Sequence, residues 1–445
     1  MEVSLMQVLE ARERRVEQQK ALIARYGKPL LSFTMNIAGP VKISPLIRRG
    51  FLAGCEALEA RFPVGGPVKH IEITEEITGY EAVYVVDLEP LELKAIAAAI
   101  EDSHGLGRLF DMDVIGADLR KLDREAVGGG SRNCIVCGAP GRGCASRRIH
   151  SVAQLQQATG DILEGYFREN DALGIGELAV QSLLKEAETT PKPGLVDRNN
   201  SGSHRDMDIT TFRASAEALR SYFTACAGVG MDADCTPEET FIRLRQLGLE
   251  AERDMYAATG GVNTHKGAIF TIGILCGAAG RLWNGEGTWK AEEIFREVSA
   301  MTREAMEADF RKGGDTAGYR LYRESGIRGI RGEAAEGLPS VAKIGLPAYR
   351  RALDRLSDGN AAGVHTLLTL VANVRDTNML KRGGPDLARA AAEKCAGILS
   401  GDYCLGDVEA LDKWFIERNL SPGGCADLLA AVYFIHDLLQ EKEKA

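Results

Sequence analysis

Residues 262–280 of this chain read VNTHKGAIFTIGILCGAAG, and this stretch decides the architecture of the second half. A polar segment that contains Asn263 and Thr264 runs directly into an apolar segment that begins at Ala268. Asn and Thr cap helices, and the backbone N–H groups at the start of a helix attract anions. The stretch therefore predicts a buried helix whose first turn, next to Lys266, faces a negatively charged ligand.

Helical periodicity continues on both sides of that stretch. From about residue 171 onward, apolar residues recur at helical spacing without an alternating strand pattern. The predicted helices are 175–188, 211–227, 237–258, 265–283, 289–309, 362–374, 386–399, 407–417 and 424–440. We therefore predict an all-α domain over residues 169–445.

The residues before this domain mix strand and helix patterns. An amphipathic helix is predicted over 5–26, and a second helix is expected after Pro90, because proline favours the first turn of a helix. Short strands are predicted at 30–35, 81–87 and 107–115. The order of strand, helix and strand indicates an α/β or α+β domain over residues 1–168.

Length, charge and cysteine content exclude several classes of protein. The chain has 445 residues and a mass of 48.0 kDa, which corresponds to roughly two to four domains. A total of 54 Lys and Arg against 63 Asp and Glu gives a net charge of −9, which disfavours nucleic acid as a partner. Because no run of about eighteen apolar residues occurs and the N-terminal segment is charged, we predict a soluble cytoplasmic protein without membrane attachment. Ten cysteines are too few for a secreted disulfide framework.

Loops rich in glycine, aspartate and basic residues separate the predicted helices. The first reads TPKPGLVDRNNSGSHRDMD over 190–208, and its two prolines exclude a buried helix. Further motifs are VNTHKG at 262–267, GGDT at 313–316, GIRGIRGEA at 326–334, DTNMLKRGG at 376–384 and NLSPGG at 419–424. Each motif alone is explained by a helix cap. Together they indicate one composite site at the helix ends.

Two motifs in the first domain suit phosphate chemistry. Residues 131–150, SRNCIVCGAPGRGCASRRIH, contain four arginines and no acid, and guanidinium groups bind phosphate oxygens in pairs. Asp111 and Asp113 lie two residues apart in a predicted strand, so both side chains face one side and suit Mg²⁺. A solvated basic loop and an ordinary polar strand face are the alternative interpretations.

The cysteines of the same segment allow a metal site. Cys134, Cys137, Cys144 and His150 have the spacing C-x2-C-x6-C-x5-H, which supplies three thiolates and one imidazole. Only one C-x-x-C pair is present, and the third spacing is atypical of zinc sites. Reduced cysteines that pack without metal are therefore the favoured interpretation, and zinc is the less favoured one.

The motifs of each domain resemble a known enzyme family. SFTMNIAGPVK at 32–42, GRLFDMDV at 107–114 and the segment 131–150 resemble, in this order, the apo-citrate lyase phosphoribosyl-dephospho-CoA transferase family, also called holo-citrate lyase synthase. The loop motifs of the second domain resemble the triphosphoribosyl-dephospho-CoA synthase family over about 172–440. We therefore expect a bifunctional transferase with both activities on one chain.

The resemblance implies two consecutive reactions. The synthase family makes 2'-(5''-triphosphoribosyl)-3'-dephospho-CoA from ATP and dephospho-CoA, and adenine is released. The transferase family attaches this precursor to a serine of the citrate lyase acyl carrier (gamma) subunit, and pyrophosphate is released. Mg²⁺ is the expected cofactor of this chemistry.

Residue roles follow from the resemblance and from what each reaction needs. Transfer of the sugar needs a base and stabilisation of a cationic sugar, and Asp206, Asp208 or Asp315 is expected to supply them, with Asp315 also a candidate for Mg²⁺. In the transferase, Asp111 and Asp113 are expected to bind Mg²⁺ and to be catalytic. The residues expected to bind substrate are Lys192, Arg198, His204, His265, Lys266, Arg331 and Arg382 in the synthase, and Lys42, Arg132, Arg147 and Arg148 in the transferase.

Three alternatives to this function remain open. The same precursor serves malonate decarboxylase, so the chain is alternatively an assembly enzyme for that system. A metal-dependent nucleotide hydrolase, in which water replaces the attacking hydroxyl, is a second alternative. A non-catalytic scaffold with zinc at Cys134–Cys144 is the third.

Overall fold

The computed structural model describes residues 2–312, 322–323 and 326–440. The chain forms two compact units, Met1–Arg168 and Glu169–Ala445. The first unit combines a sheet with helices and the second is mostly helical, which confirms the predicted fold class. Within the described ranges, no helix is both long and apolar enough to cross a lipid bilayer.

A five-stranded sheet with the strand order β2-β3-β1-β4-β5 forms the centre of the first unit. Each pair of neighbouring strands is antiparallel, so the unit is α+β, the second of the two predicted classes. The strands are β1 Leu30–Met35, β2 Val68–Glu76, β3 Gly79–Val86, β4 Phe110–Ile115 and β5 Lys121–Leu122.

Two helices of the first unit, one over 5–26 and one after Pro90, are predicted from local sequence signals, and both are confirmed. A capping box of Ser4 and Gln7 starts the first helix and Gly27 ends it, as the pattern predicts. The second helix is not predicted, because the glycines Gly50 and Gly54 on its buried side weaken the apolar pattern. The helices are α1 Leu5–Tyr26, α2 Pro45–Glu59, α3 Pro90–Ser103 and α4 Gly141–Arg147, and α5 Val152–Glu188 begins in this unit and continues past residue 168. Neither α4 nor the first part of α5 is predicted.

The second unit is built around two strongly apolar helices, α9 and the last helix, Gly423–Gln440. The two pack against each other, and α9 also packs against α7, α8 and α10. The helices are α6 Ile209–Ala218, α7 Arg220–Gly230, α8 Pro237–Ala258, α9 Lys266–Arg281, α10 Ala291–Lys312, Gly329–Ala335, Leu346–Leu356, Gly359–Asn373, Thr377–Leu399, Leu405–Glu417 and Gly423–Gln440.

Most predicted helices of this unit are confirmed to within a few residues, but several details differ. The predicted helix 175–188 is the end of α5, which begins at Val152, and the predicted helix 386–399 begins at Thr377. The short helix Gly329–Ala335 is not predicted. The predicted helix 211–227 is two helices that meet at Leu219. A π-helical turn, Ser340–Gly345, leads into the helix Leu346–Leu356, and Pro339, Gly345 and Pro347 hide this helix from pattern analysis. The helix Thr377–Leu399 has a kink at Gly384, where φ is 75°.

Candidate active sites

Strand β4 presents the two predicted metal-binding aspartates to one side of the sheet. Phe110, Met112 and Val114 point into the core, so Asp111 and Asp113 project from the opposite side, as the two-residue spacing predicts. Both aspartates lie beside β1 at the centre of the sheet. The sheet therefore fixes the two carboxylates on a rigid element.

The electrostatics of this pair favour a bound cation. Asp113 forms an ion pair with Lys121 at 2.6 Å. Desolvation in the cavity wall and repulsion from Asp113 raise the pKa of Asp111. Lys121, Arg132 and Lys94 offset only part of this shift, so the charged form of Asp111 remains disfavoured, and a bound metal ion would stabilise it.

Two neighbouring cavities open on the aspartates. The larger cavity measures 750 Å³ and the smaller 470 Å³. Both are lined by Asn36, Asp111, Asp113 and Lys121. The aspartates therefore stand where the two cavities meet.

The predicted transferase residues divide between these cavities. Arg132 and Arg148 line the larger one, and Lys42 lines the smaller one. Arg147 is exposed on α4. The structure thus gathers three of the four predicted phosphate ligands around the aspartates.

Arg132 also holds its segment against the sheet. Its guanidinium donates to the backbone oxygens of Gly107 and of Phe110, the latter at 2.6 Å. Lys42 donates to the backbone oxygen of Ile37, and burial together with nearby Arg12 lowers its pKa. Both residues therefore have structural contacts beside any contact with substrate.

In the second unit, a cavity of 670 Å³ lies at the start of α9. Its floor is apolar and includes Tyr222, Phe241 and Ile274. Two predicted residues, Lys266 and Arg331, line it. Three basic residues of the lining were not among the predicted ligands: Arg245, Arg328 and Lys381.

Part of this positive charge is already paired. Lys266 contacts Glu252 at 2.6 Å, and Arg245 contacts Asp309 at 3.3 Å. The basic groups come from α8, from α9, from the helix Gly329–Ala335 and the residue before it, and from the start of the helix Thr377–Leu399. Several chain segments that are distant in sequence thus bring cations to one cavity, as a polyphosphate site requires.

His204 and Arg382 form a second polar group in this unit. The His204 Nε2 lies 3.0 Å from the Ser421 hydroxyl, and its Nδ1 lies 3.4 Å from the Arg382 guanidinium. Arg382 also donates to the backbone oxygen of Ser203 and to the side-chain oxygen of Asn419. Three of the motif loops therefore meet here.

Lys192 is fully buried, and its ammonium donates to the Glu186 carboxylate at 2.6 Å. Arg198, by contrast, is exposed and contacts Thr190 and Asn360. In this structure Lys192 stabilises the interior of the loop, whereas Arg198 lies at its surface.

His265 is buried directly before α9. Its Nδ1 lies 2.7 Å from the Ser215 hydroxyl, and its Nε2 is buried without a hydrogen-bond partner among the described residues. Burial and the nearby Lys192 lower the pKa of His265 to about 3. The imidazole is therefore neutral at physiological pH.

Two buried carboxylates that sequence analysis left without a role join the motif loops. Asp376 accepts hydrogen bonds from the backbone amides of Asn378, Met379 and Cys425, so it fixes the starts of two helices. Asp427 lies against Gly267, where an added Cβ would stand 1.9 Å from its Oδ2. The aspartates are visible in the sequence motifs, but their burial follows from helix packing.

Desolvation, together with repulsion from Glu186 and Asp376, raises the pKa of Asp427 well above its usual range. Asp427, Glu186 and Asp376 therefore form an electrostatically coupled group of carboxylates behind the first turn of α9. Asp427 stands against Gly267, a residue of the cavity lining.

The predicted bases occupy different environments. Asp206 is exposed beside His204. Asp208 caps α6, and its hydrogen bonds with Thr210 and Thr211 lower its pKa to about 2. Asp315 lies outside the described residues.

Sequence comparison assigns each unit to a family. Residues 172–445 match the CitG family, described as ATP:dephospho-CoA triphosphoribosyl transferase, and residues 3–166 match the CitX family, described as apo-citrate lyase phosphoribosyl-dephospho-CoA transferase. Protein CitXG of Leuconostoc mesenteroides subsp. cremoris is 33% identical over 460 residues, which cover 98% of this chain and 97% of that protein. The chain belongs to the CitXG family.

Other relatives agree with this assignment. Protein CitXG of Haemophilus influenzae is 34% identical over 97% of this chain and 96% of its own length. A probable 2-(5''-triphosphoribosyl)-3'-dephosphocoenzyme-A synthase of Vibrio cholerae is 41% identical over 60% of this chain and 88% of its own length. The predicted bifunctional transferase for two-step assembly of the citrate lyase prosthetic group is thereby confirmed, and this system is favoured over malonate decarboxylase.

Proposed function

We propose that the CitG-like unit binds the ATP triphosphate and dephospho-CoA at the 670 Å³ cavity and joins them there. The 2'-hydroxyl oxygen of dephospho-CoA bonds to C1' of the ATP ribose, and the bond from C1' to adenine breaks. The hydroxyl proton passes to a base, and adenine leaves with a proton of its own. The observation that carries this proposal is the convergence of Lys266, Arg328, Arg331 and Lys381 on one cavity with an apolar floor.

Two carboxylates in different environments, one buried and one exposed, suit this reaction. Asp427 lies against Gly267 of the cavity lining, and desolvation with repulsion from Glu186 and Asp376 raises its pKa, which favours the protonated carboxyl; we propose that it donates the proton to adenine. Asp206 is exposed and remains our candidate base. Asp208 is engaged as a helix cap, and its low pKa disfavours proton abstraction.

The positively charged groups have separate tasks. Lys266 and Arg331, at the cavity, would hold the triphosphate. His204 and Arg382 would extend the site toward the second substrate, because they sit on the motif loops that meet at Ser421. Lys192 would act indirectly, by holding the loop in place.

In the CitX-like unit, we propose that a serine of the acyl carrier subunit attacks the α-phosphorus of the precursor. The bond from that phosphorus to the bridging oxygen breaks, and pyrophosphate leaves. Lys42, Arg132 and Arg148 surround the two aspartates and would neutralise the phosphate charge. This placement of the basic residues supports an arrangement in which the triphosphate spans both cavities.

Asp111 and Asp113 would hold Mg²⁺ in this site. The residues fit the ion, because both are carboxylates on one strand face, and desolvation together with repulsion from Asp113 raises the pKa of Asp111. When bound, Mg²⁺ supplies charge neutralisation to the phosphates.

The proposal is tested with two variants of the full chain, each directed at one unit. Asp111→Asn combined with Asp113→Asn should release adenine from ATP and dephospho-CoA at the wild-type rate but fail to load the carrier. Arg331→Met should slow adenine release about tenfold to hundredfold, the cost of a lost charged hydrogen bond, yet load the carrier when precursor is supplied. Each variant is the control for the other, and a mixture of the two should restore loading from ATP.

Carrier loading at the wild-type rate by the Asp111/Asp113 double variant would remove the aspartates from the transferase mechanism. Unchanged adenine release by Arg331→Met would remove the 670 Å³ cavity from the synthase mechanism.

A further inference from the structure

We propose that Cys134, Cys137, Cys144 and His150 bind one structural zinc ion in the CitX-like unit. Their ligand atoms all lie within 4.8 Å of one another. The Cys137 and Cys144 sulfurs are 3.5 Å apart, and the His150 Nε2 is 3.3 Å from the Cys137 sulfur. A tetrahedral zinc with bonds of about 2.3 Å to sulfur separates its ligands by about 3.5 to 3.8 Å. The Cys137–Cys144 and Cys137–His150 pairs are thus close to the spacing of a Cys3His site, and the whole group lies within an ångström or so of it.

The local backbone has the shape of a metal-binding turn. Residues 134–138 read CIVCG, and Gly138 adopts a positive φ of 73°, which lets the chain turn back after Cys137. The Gly138 amide donates to the Cys134 carbonyl at 3.0 Å, and the Val136 amide points at the Cys134 sulfur at 3.5 Å. An amide directed at the sulfur stabilises a thiolate, which is the form that binds zinc. A bridge between Asn133 and Pro140 closes the turn.

The surrounding segment contains little secondary structure that would otherwise hold it. Between Val127 and Val152, the described elements are the seven-residue α4 and the single bridge. Cys144 lies on α4, and His150 follows that helix. A metal bound by all four ligands would thus tie the turn, α4 and the start of α5 together.

A bound zinc ion would also affect the arginines of the segment 131–150. This part of the inference rests on the proposed transferase function. Cys134, Cys144 and His150 line the 750 Å³ cavity together with Arg132 and Arg148. Three thiolates and a neutral imidazole on Zn²⁺ carry one net negative charge, which the acid-free, four-arginine segment 131–150 balances. Zinc would therefore position the arginines that face the triphosphate.

The test measures the metal content of the purified full chain after dialysis against a chelator, by mass spectrometry of the metals. We expect one zinc per chain, and loss of at least nine-tenths of it in Cys137→Ser. The matched control is Cys404→Ser, which replaces an exposed cysteine of the CitG-like unit and should retain the metal. Replacement of zinc by Co²⁺ should give a thiolate charge-transfer absorption that Cys137→Ser lacks.

Activity provides a separate readout. Cys137→Ser should load the carrier poorly with supplied precursor, while it releases adenine at the wild-type rate. Substoichiometric zinc in the wild type, equal zinc in Cys137→Ser and wild type, or a disulfide in place of the thiols would each overturn the metal site. Loss of the metal with full carrier loading would overturn the positioning of the arginines and leave the proposed transferase function intact.

Discussion

At the scale of single residues, the proposed synthase site depends on Gly267, where an added side chain would collide with Asp427. A Cβ at position 267 would stand 1.9 Å from the Asp427 carboxylate and inside the first turn of α9. We predict that Gly267→Ala displaces Asp427 and slows adenine release about hundredfold, because misplacing a catalytic group by about an ångström has an effect of this size. The measurement is adenine release by chromatography, with carrier loading from supplied precursor as the internal check on folding of the other unit.

Gly228→Ala is the matched control for that substitution. Gly228 is exposed on α7, and among the described residues no atom outside the local helix lies within 4 Å of the added Cβ. Its unfolding free energy should rise by about 0.5 to 1 kcal/mol, and its adenine release should stay unchanged. If Gly267→Ala behaves in the same way, Asp427 has no role in adenine release.

The amino-acid sequence predicts which types of residue form the candidate sites, but it predicts only part of how these residues are arranged in space. The spacing of Asp111 and Asp113 fixes their shared strand face, because side chains alternate along a strand. The burial of Lys192 and Asp427 depends on which helices pack over them, and no local pattern encodes that. The roles of the site residues remain predictions that the variants above test.

At the scale of secondary structure elements, helix α6 is held at its start by Asp208. The carboxylate accepts from the Thr211 amide at 2.9 Å and from the Thr210 and Thr211 hydroxyls. These bonds lower its pKa in the folded state to about 2, below the value of about 3.9 in an unfolded chain. The carboxylate therefore stabilises the fold fully above the unfolded pKa, and this contribution is lost as the pH falls toward about 2.

The comparison that isolates this effect is Asp208→Asn, which retains a capping oxygen but does not titrate. We predict that the difference in unfolding free energy between wild type and variant, measured by urea denaturation, is largest above about pH 5 and shrinks as the pH falls. A difference that is independent of pH would show that the charge of Asp208 does not contribute to the cap.

Elements were predictable where one strong local signal dominates. Thr236 and Pro237 mark the start of α8, and a capping box marks the start of α1, so both helices match their predicted bounds. The strand β2 was missed, because much of it is exposed and its charged residues hide the pattern. Whether the sheet was parallel or antiparallel also needed the structure, since only the pairing of distant strands decides it.

At the scale of the whole molecule, the acidic balance and the phosphate chemistry are compatible. The chain carries a net charge of −9, yet basic residues line a cavity in each unit. Positive charge is therefore local, as is typical of an enzyme that binds small anionic substrates rather than nucleic acid. The family assignment and these two cavities lead to the same account, in which one chain performs two consecutive reactions.

The most direct test of that account follows adenine and pyrophosphate in one reaction mixture. Wild-type chain with ATP and dephospho-CoA should release adenine at once, and pyrophosphate should appear only after apo acyl carrier subunit is added, in an amount equal to the carrier loaded. Pyrophosphate release without the carrier, or adenine release without dephospho-CoA, would contradict the account, and the latter would indicate a nucleotide hydrolase.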